Sequence, residues 1–366
     1  MTNKAMADTP TRPQSNPTWR GKPGPNHERR SLARRTTLRQ ALVRAMGIGI
    51  FYVVVLVFFT SQIPNFLNGD NITGILSASS ALGIVAIGQT YAIVSGGFDL
   101  SVGGVVPLAA VIYAKTSESG SVPFAMGAAL LSGCAVGVLN ATVIAKMKIN
   151  PLITTLGTLS VVGGLAYVVT DGLTIPLAAS GASLWGDTAF WGIQYGVIGF
   201  VALAVVATLV LKFTTYGRAL YAVGGNAEAA ELAGLRVKVI SGSVYVVCGA
   251  CAAFAGIIMA SQLLSAAPNV GVDTTLNSVA AVILGGAALA GGIGGVPGTV
   301  LGVLLLGTMA NGLALLQVSS FYQTIATGGI LLLAVAFARL RDVLMLGAIF
   351  RTTPNPEPET TGQNNP

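Results

Sequence analysis

The longest charge-free stretch of the chain constrains its fold more than any other feature. Between Lys238 and Arg339 the only charged side chain is Asp273, and residues 274–338 carry none. A soluble domain needs charged side chains on its solvent-facing surface, so a stretch of this length would aggregate in water. At about 20 apolar residues per crossing, it accommodates roughly four membrane helices, inside which charges are costly. The sequence therefore predicts a protein embedded in a lipid bilayer.

The positive charge of the chain is concentrated in its first 44 residues. Residues 1–44 hold ten Lys and Arg side chains against two acidic ones, whereas the whole chain has a formal net charge of +7. Five prolines and the lack of helical periodicity predict a disordered tail. A basic tail can bind nucleic acid, but this one lacks interleaved aromatics and leads directly into the first apolar segment. We therefore expect a cytoplasmic tail attracted to anionic lipid headgroups, and no nucleic-acid partner.

The apolar runs predict an all-α polytopic membrane protein with ten transmembrane helices. The membrane domain covers residues 45–340, and residues 341–366 form a C-terminal cytoplasmic tail. The ten predicted segments are 45–63, 72–95, 100–114, 122–145, 151–170, 194–211, 239–262, 274–290, 297–316 and 321–338. The breaks at 96–104 and 285–298 are either simple turns or re-entrant segments.

The distribution of charge predicts the orientation. With the N-terminus inside, the cytoplasmic connections and the C-terminal tail contain nine basic residues, whereas the outside connections contain one, Lys115. This bias follows the positive-inside rule and places both termini in the cytoplasm. The longest charged cytoplasmic connection is the loop 212–238.

A faint internal repeat relates two pairs of segments. Leu139-Asn140 precedes the motif that starts at Asn150, and Ala310-Asn311 precedes Phe321-Tyr-Gln-Thr-Ile-Ala-Thr-Gly at nearly the same distance. The two pairs cross in opposite directions, which is the inverted-repeat arrangement of many transporters. Chance similarity between apolar stretches is an equally open explanation.

Residue patterns of enzyme sites are absent from the sequence. The only histidine, His27, lies in the N-terminal tail, and no glycine-rich phosphate loop or metal-ligand motif occurs. Cys248 and Cys251 have the spacing of a redox or metal pair, but without further ligands nearby they are interpreted as small buried residues of a helix. We expect no cofactor and no catalytic activity, so energy for any active transport has to come from a partner.

A short helix is predicted inside the loop 212–238, at residues 227–233. Asn226 is a suitable N-cap, Glu228 lies where the helix dipole favours an acid, and Gly234 is a suitable residue after the helix end. Ala229, Leu232 and Ala233 share one face. So short a helix is marginal alone, so we expect it either to pack against a partner or to be an ordinary surface helix.

The same loop resembles the membrane permeases of ABC-type monosaccharide importers, the ribose, xylose and arabinose group. Within the loop, the resemblance is carried by Gly217-Arg218, Tyr221-Ala-Val-Gly-Gly-Asn226 and Leu232-x-Gly234. Further motifs match in chain order along residues 45–340. Before the loop these are Gly96-Gly97-Phe98-Asp99-Leu100-Ser101-Val102-Gly103 and Asn150-Pro151-Leu-Ile-Thr-Thr-Leu-Gly-Thr158; after it they are Ala280-Ala-Val-Ile-Leu-Gly-Gly286, Gly291-Gly292, Gly298-Thr299, Asn311-Gly312 and Ser319-Ser320-Phe-Tyr322-Gln323. Phe98, the Asn277-Ser278 pair and the long tail depart from the family pattern, which leaves the identity of the sugar open.

The resemblance implies a homodimeric permease of the bacterial inner membrane with the ABC importer permease fold. A periplasmic sugar-binding protein would deliver the sugar, and a cytoplasmic ABC ATPase would drive transport. The residues that would couple to the ATPase are Gly217, Arg218, Gly224, Gly225, Asn226, Glu228, Ala229, Ala230, Leu232 and Gly234. The alternative is a self-sufficient secondary carrier or facilitator, which solute flux by the isolated chain distinguishes. A scaffold without transport activity is disfavoured by polar groups at membrane depth.

Uncharged polar groups inside the membrane suit the passage of a polyol. The candidates for a substrate pathway are Gln89, Asn140, Thr154, Thr155, Asn277 and Asn311, although hydrogen bonding between helices is the alternative for each of them. Asp99 is interpreted mainly as the cap of the helix that follows it. The residues assigned to structural breaks and caps are Gly96, Gly97, Asp99, Ser101, Gly285, Gly286, Gly291 and Gly292.

Overall fold

The computed structural model of the chain is a bundle of helices. It describes residues 48–326 together with residues 328, 329 and 332. The helices are α1 (Ile48–Gln62), α2 (Gly69–Val94), α3 (Val102–Ser119), α4 (Val122–Met147), α5 (Pro151–Thr170), α6 (Tyr195–Phe213), α7 (Thr215–Gly225), α8 (Ala227–Leu232), α9 (Val237–Leu263), α10 (Thr274–Leu284) and α11 (Val296–Leu315). Six of them, α2, α4, α5, α6, α9 and α11, are long and apolar enough to cross a membrane. The protein is an all-α, multi-pass membrane protein.

Four very short strands form two ribbons in the connections. β1 (Ile175–Pro176) pairs antiparallel with β4 (Ser265–Ala266), and β2 (Thr188–Phe190) pairs antiparallel with β3 (Ile193–Gln194). The first ribbon ties the connection after α5 to the end of α9. Sequence patterns did not predict these strands, since two-residue pairings have no alternating signature.

The helix boundaries follow local signals. Asn150 caps α5, because its side chain accepts a hydrogen bond from the backbone N–H of Leu152 at 2.8 Å. Pro151 is suited to the first helical position, because the N–H that proline lacks would have no partner within the helix there. α4 and α11 also carry a proline in their first turn. The predicted segment 151–170 is therefore confirmed to the residue.

α9 is the central helix, and it packs on α2, α3 and α4. Its contact with α4 is between backbones: a methyl group at Gly133 would overlap the carbonyl oxygen of Gly249, and one at Gly137 would overlap the carbonyl oxygen of Tyr245. α10 and α11 pack in the same way, because a side chain at Gly298 or Gly302 would overlap the backbone of α10. Gly133/Gly137 and Gly298/Gly302 are Gly-x-x-x-Gly pairs, a spacing that lets two helix backbones approach closely.

Two predicted segments need correction. The segment 274–290 is helical only over Thr274–Leu284, since the glycines from Gly285 onward turn the chain. α3 continues to Ser119, so Lys115 and Glu118 belong to the helix and not to a connection.

Some predictions fall wholly or partly beyond the described residues. Each predicted segment overlaps helical residues, but the count of ten crossings stays a prediction. The last segment does so through 321–326, 328, 329 and 332, which belong to a helical stretch that begins at residue 320. The tails 1–44 and 341–366 lie outside the part of the chain that the structure describes.

The α4–α9 contact makes a prediction about stability. Gly137→Val places a branched side chain against the backbone of α9, and overpacking of this kind costs about 1–3 kcal/mol. We expect a lower unfolding midpoint in detergent, measured by thermal scanning. Gly127→Val is the matched control on α4, because no atom lies within 4 Å of the added Cβ. Equal midpoints for the two variants would contradict the role of the glycine contact.

Candidate functional site

The loop between α6 and α9 folds into two helices, α7 and α8. The side chain of Thr214 caps α7 by accepting from the N–H of Gly217 at 3.1 Å. Asn226 caps α8 by accepting from the N–H of Ala229 at 2.9 Å, as predicted. The predicted helix 227–233 is confirmed within one residue, since Ala233 is its C-terminal cap.

The end of α8 has the geometry predicted for Gly234. This glycine has a positive φ of 84°, its N–H donates to the carbonyl of Glu231 at 2.9 Å, and the N–H of Leu235 donates to the carbonyl of Ala230 at 3.0 Å. This pair of hydrogen bonds is a Schellman motif, which favours glycine because a Cβ is strained at positive φ. A two-turn helix is thereby held at both ends.

One face of α8 has no covering partner within the described chain. Ala230 is buried against the protein, whereas Ala229, Leu232 and Ala233 are exposed. Leu232 has 91% of its side-chain surface accessible. An apolar face on a loop helix with acidic neighbours is a suitable contact surface for another protein.

α7 connects α8 to two breaks in the membrane bundle through backbone contacts. A methyl group at Gly224 would overlap the carbonyl oxygen of Val94, and one at Gly291 would crowd Gly96 and Gly224. The N–H of Gly292 donates to the carbonyl of Val94 at 2.9 Å. We call this meeting point of residues 94–97, 224–225 and 291–294 the glycine junction. The hydroxyl of Tyr221 donates to the carbonyl of Gly294 at 2.8 Å and holds α7 on it.

The remaining predicted coupling residues lie along α7 and α8, and of these Gly225 is at the junction. Gly217 packs against the backbone of Leu211 in α6, and the Arg218 guanidinium donates to the carbonyl of Phe213 at 3.4 Å. Gly225 lies beside Gly292. Glu228 is exposed in the first turn of α8.

Asp99 begins a chain of buried polar side chains. Its Oδ1 accepts from the backbone N–H of Ser101 at 3.0 Å and from the Ser101 hydroxyl at 2.5 Å. The amide of Asn140 donates to the Ser101 hydroxyl at 2.8 Å, and the hydroxyl of Thr158 donates to Oδ1 of Asn140 at 2.7 Å. Asp99 thus satisfies the backbone N–H of Ser101 but is not the predicted cap, because the N-cap of α3 is Ser101, which makes no capping side-chain hydrogen bond. The chain of polar side chains links α3, α4 and α5.

α3 and α10 begin inside the bundle and next to each other. Ser101 contacts Asn140, which lies seven residues, or about 10 Å, before the end of α4. The Thr275 hydroxyl donates to the carbonyl of Leu100 at 3.4 Å, and a side chain at Gly103 would overlap that hydroxyl. α10 has 11 residues, about 16 Å, so it spans only half of a bilayer core. Such interrupted helices occur where transporters bind or release substrate.

The six predicted pathway residues do not form one cluster. The amide nitrogen and the amide oxygen of Asn140 both have hydrogen-bond partners, Ser101 and Thr158. The Thr155 hydroxyl donates to the carbonyl of Pro151 in its own helix. Gln89 is fully buried in α2, and neither of its polar atoms has a partner among the described residues. Oδ1 of Asn311 and the Thr154 hydroxyl are likewise buried without a described partner, and the half-buried Asn277 lies in the first turn of α10.

Sequence analysis missed a second polar cluster at the opposite end of the bundle. Ser77 in α2, Gln194 before α6 and Gln262 near the end of α9 hydrogen-bond one another. Their positions are far apart in the sequence, and Gln194 and Gln262 lie at helix ends, where polar residues are common. No motif would have selected them.

The interrupted helices and the exposed loop helix define a polytopic transport protein. Comparison with known proteins then identifies its family. Residues 71–335 match the family described as branched-chain amino acid transport system / permease component, and the chain belongs to this family. No solved structure matches the chain significantly.

Curated relatives agree with the resemblance drawn from the motifs. The chain is 39% identical to the ribose import permease protein of Bacillus subtilis over 81% of this chain and 92% of that protein. It is 38% identical to the L-arabinose transport system permease protein of Escherichia coli, over 81% and 90% respectively. It is 35% identical to the L-arabinose ABC transporter permease protein of Azospirillum brasilense, over 82% and 89%. The predicted similarity to permeases of the ribose and arabinose group is confirmed.

The buried polar chain predicts an energetic coupling between α4 and α5. In a double-mutant cycle of Asn140→Leu and Thr158→Val, we expect the two changes to be non-additive by roughly 0.6–1.7 kcal/mol, the range found for hydrogen bonds between membrane helices. The measurement is the free energy of unfolding in mixed micelles.

The matched control for this cycle pairs Asn140→Leu with Thr142→Val. The Thr142 hydroxyl is exposed and bonds only its own helix at Val138. The prediction is wrong if this control pair is as strongly coupled as the Asn140–Thr158 pair.

Proposed function

We propose that the chain is the membrane permease subunit of an ATP-driven importer that carries a monosaccharide across the bacterial inner membrane. A cytoplasmic ABC ATPase supplies the energy, a periplasmic binding protein supplies the sugar, and a second copy of the chain completes the translocation unit. The printed names of the ribose and arabinose relatives support the substrate class. The observation that carries the coupling mechanism is the exposed Leu232 face of α8.

The proposed topology has ten crossings with both termini in the cytoplasm, and the two halves form an inverted repeat. The membrane domain is 45–340, and the tails 1–44 and 341–366 are cytoplasmic. The excess of basic residues in the proposed inside connections supports this orientation. It places α7, α8 and the glycine junction on the ATPase side.

Coupling proceeds through α8 and α7 to the glycine junction. The ATPase binds Ala229, Leu232 and Ala233, and its movement displaces the short rigid unit that the caps at Asn226 and Gly234 hold together. Because Gly224 meets residue 94 through backbone atoms, no flexible side chain absorbs that displacement. The movement therefore reaches the breaks before α3 and after α10, where access to the pathway changes.

The substrate pathway is proposed to use uncharged polar groups. Gln89, Thr154, Asn277 and Asn311 have side-chain polar atoms without a described partner, so they are available to a passing polyol. The amide of Asn140 is occupied by hydrogen bonds that join helices, and the Thr155 hydroxyl is occupied by a hydrogen bond within its own helix.

Reconstitution separates the importer from the alternative, a self-sufficient carrier. We expect liposomes that contain this chain alone to take up no labelled ribose or arabinose, with or without an ion gradient. Uptake should appear when the ATPase, the binding protein and ATP are added. Sugar uptake by the isolated chain would favour the secondary carrier and overturn the proposal.

The contact face of α8 gives a second test. Leu232→Asp puts a charge into the proposed apolar interface, and loss of one central contact residue costs at least 1–2 kcal/mol. We expect at least a tenfold weaker association with the ATPase, measured by titration in nanodiscs. Glu231→Ala is the control, because residue 231 lies on the opposite side of α8 and alanine preserves the helix. Equal affinity of both variants would argue against this face as the docking site.

A further inference from the structure

An open cavity lies at the end of the bundle opposite α7 and α8. Its volume is about 410 Å³, and it is lined by Asp70, Thr73, Gly74, Ser77, Ala78, Gly192, Gln194 and Gln262. Asp70 lies at the start of α2, whose other end contacts the glycine junction. In the proposed orientation the cavity therefore opens to the outside, where sugar arrives.

One wall of the cavity is built by three chain segments that hydrogen-bond one another. Nε2 of Gln262 lies within hydrogen-bond distance of the carbonyl and the hydroxyl of Ser77, at 3.1 and 3.2 Å. Oε1 of Gln194 and the Ser80 hydroxyl also lie within reach, each at 3.2 Å, so these four acceptors share the two N–H groups of the amide. The Ser77 hydroxyl donates to the same oxygen of Gln194. These contacts fix the wall before any ligand arrives, which lowers the entropic cost of binding.

Several polar groups of the cavity are left unused by the protein. Among the described residues, the Asp70 carboxylate, Nε2 of Gln194 and Oε1 of Gln262 have no hydrogen-bond partner. They offer both acceptors and donors toward the open space. The alternating donors and acceptors of sugar hydroxyls match such a set.

Charge restricts the class of ligand further. The lining contains one carboxylate and no basic residue, so an anionic sugar acid or sugar phosphate would meet repulsion without compensation. The only apolar side chain in the lining is Ala78, which leaves little surface for a hydrophobic solute. A cavity of this size is within the range of small-molecule sites.

A tight contact between α2 and α6 follows the cavity lining along α2. Below Ser80, the ring of Phe200 in α6 lies against Gly83 in α2, so closely that a methyl group on this glycine would overlap the ring. Phe200 itself is buried. A molecule in the cavity therefore stays outside this contact until the helices move.

We propose that this cavity is an outer, weak binding site for an uncharged monosaccharide, occupied after release from the binding protein and before translocation. The inference rests on the proposed function and adds a site and a ligand class to it. Weak binding follows from the open shape, because a bound sugar exchanges hydrogen bonds with water for hydrogen bonds with protein and buries little apolar surface. The site captures released sugar and keeps it from diffusing back.

The test uses the complete complex in proteoliposomes, with uptake of labelled ribose and of labelled L-arabinose and ATP hydrolysis measured on the same vesicles. The variants are Asp70→Ala and Gln194→Leu. Gln62→Leu is the control, because Gln62 is the exposed last residue of α1 and is not among the residues that line the cavity. We expect the sugar moved per ATP hydrolysed to fall at least threefold in both variants and not in the control, while the affinity for the binding protein is unchanged.

Three other results of this experiment can be told apart. An unchanged ratio of transport to hydrolysis in both variants overturns the site, and a parallel loss of binding-protein affinity shows a docking surface for that protein. If the unmodified complex moves no sugar, the proposed function itself has failed.

Thiol labelling tests the ligand class without relying on transport. With Cys134 replaced by serine, Thr73→Cys is labelled with an impermeant maleimide in the presence of 100 mM L-arabinose or 100 mM arabinonate, concentrations on the order of those needed for a weak site. We expect arabinose to slow labelling at least twofold and arabinonate to leave it unchanged. Gly69→Cys, exposed beside the cavity, should be unaffected by either. Equal protection by both compounds, or by neither, overturns the proposal.

Discussion

Backbone-to-backbone packing at glycines is the interaction on which the rest of this structure depends. Between membrane helices the lipid tails are as apolar as the side chains, so burial of apolar surface supplies little driving force and close van der Waals contact has to replace it. Gly133, Gly137 and Gly249 bring α4 and α9 together in this way. The same device joins α10 to α11, and it joins α7 to the breaks of the bundle.

Close glycine contact also determines how a displacement travels. A side chain between two backbones can change rotamer and absorb part of a movement, whereas a contact such as that of Gly224 with the carbonyl of Val94 cannot. The glycine junction therefore behaves as a rigid contact between the loop helices and two chain breaks. One break, at residues 94–97, precedes α3, and the other, at residues 291–294, follows α10. Both α3 and α10 begin inside the bundle, so a movement of the glycine junction would reach the helices that do not cross the whole bundle.

The parts of the fold that depend on local chemistry could be predicted from the sequence. Charge depletion located the apolar helices, and Asn226 and Gly234 located both ends of α8. The end of α10 was placed at residue 290 instead of Leu284, because glycine and alanine are apolar enough to extend a hydrophobic run although they turn the chain. The outer cavity was missed, since Ser77, Gln194 and Gln262 meet only after three distant segments have packed.

The two ends of the bundle differ in composition: glycine backbone contacts dominate at the α7–α8 end, and polar side chains line the cavity at the other end. The proposed roles of the two ends account for this difference. In the proposed mechanism the α7–α8 end passes on a movement, which favours glycine contacts without side chains. The other end is proposed to recognise and then release a solute, which favours exposed amides and hydroxyls whose hydrogen bonds exchange readily with water. The tight contact of Gly83 with the ring of Phe200 lies between the proposed outer site and the interior of the bundle. In the proposed mechanism, rearrangement of that contact is the step at which movement from the α7–α8 end gives access at the other end.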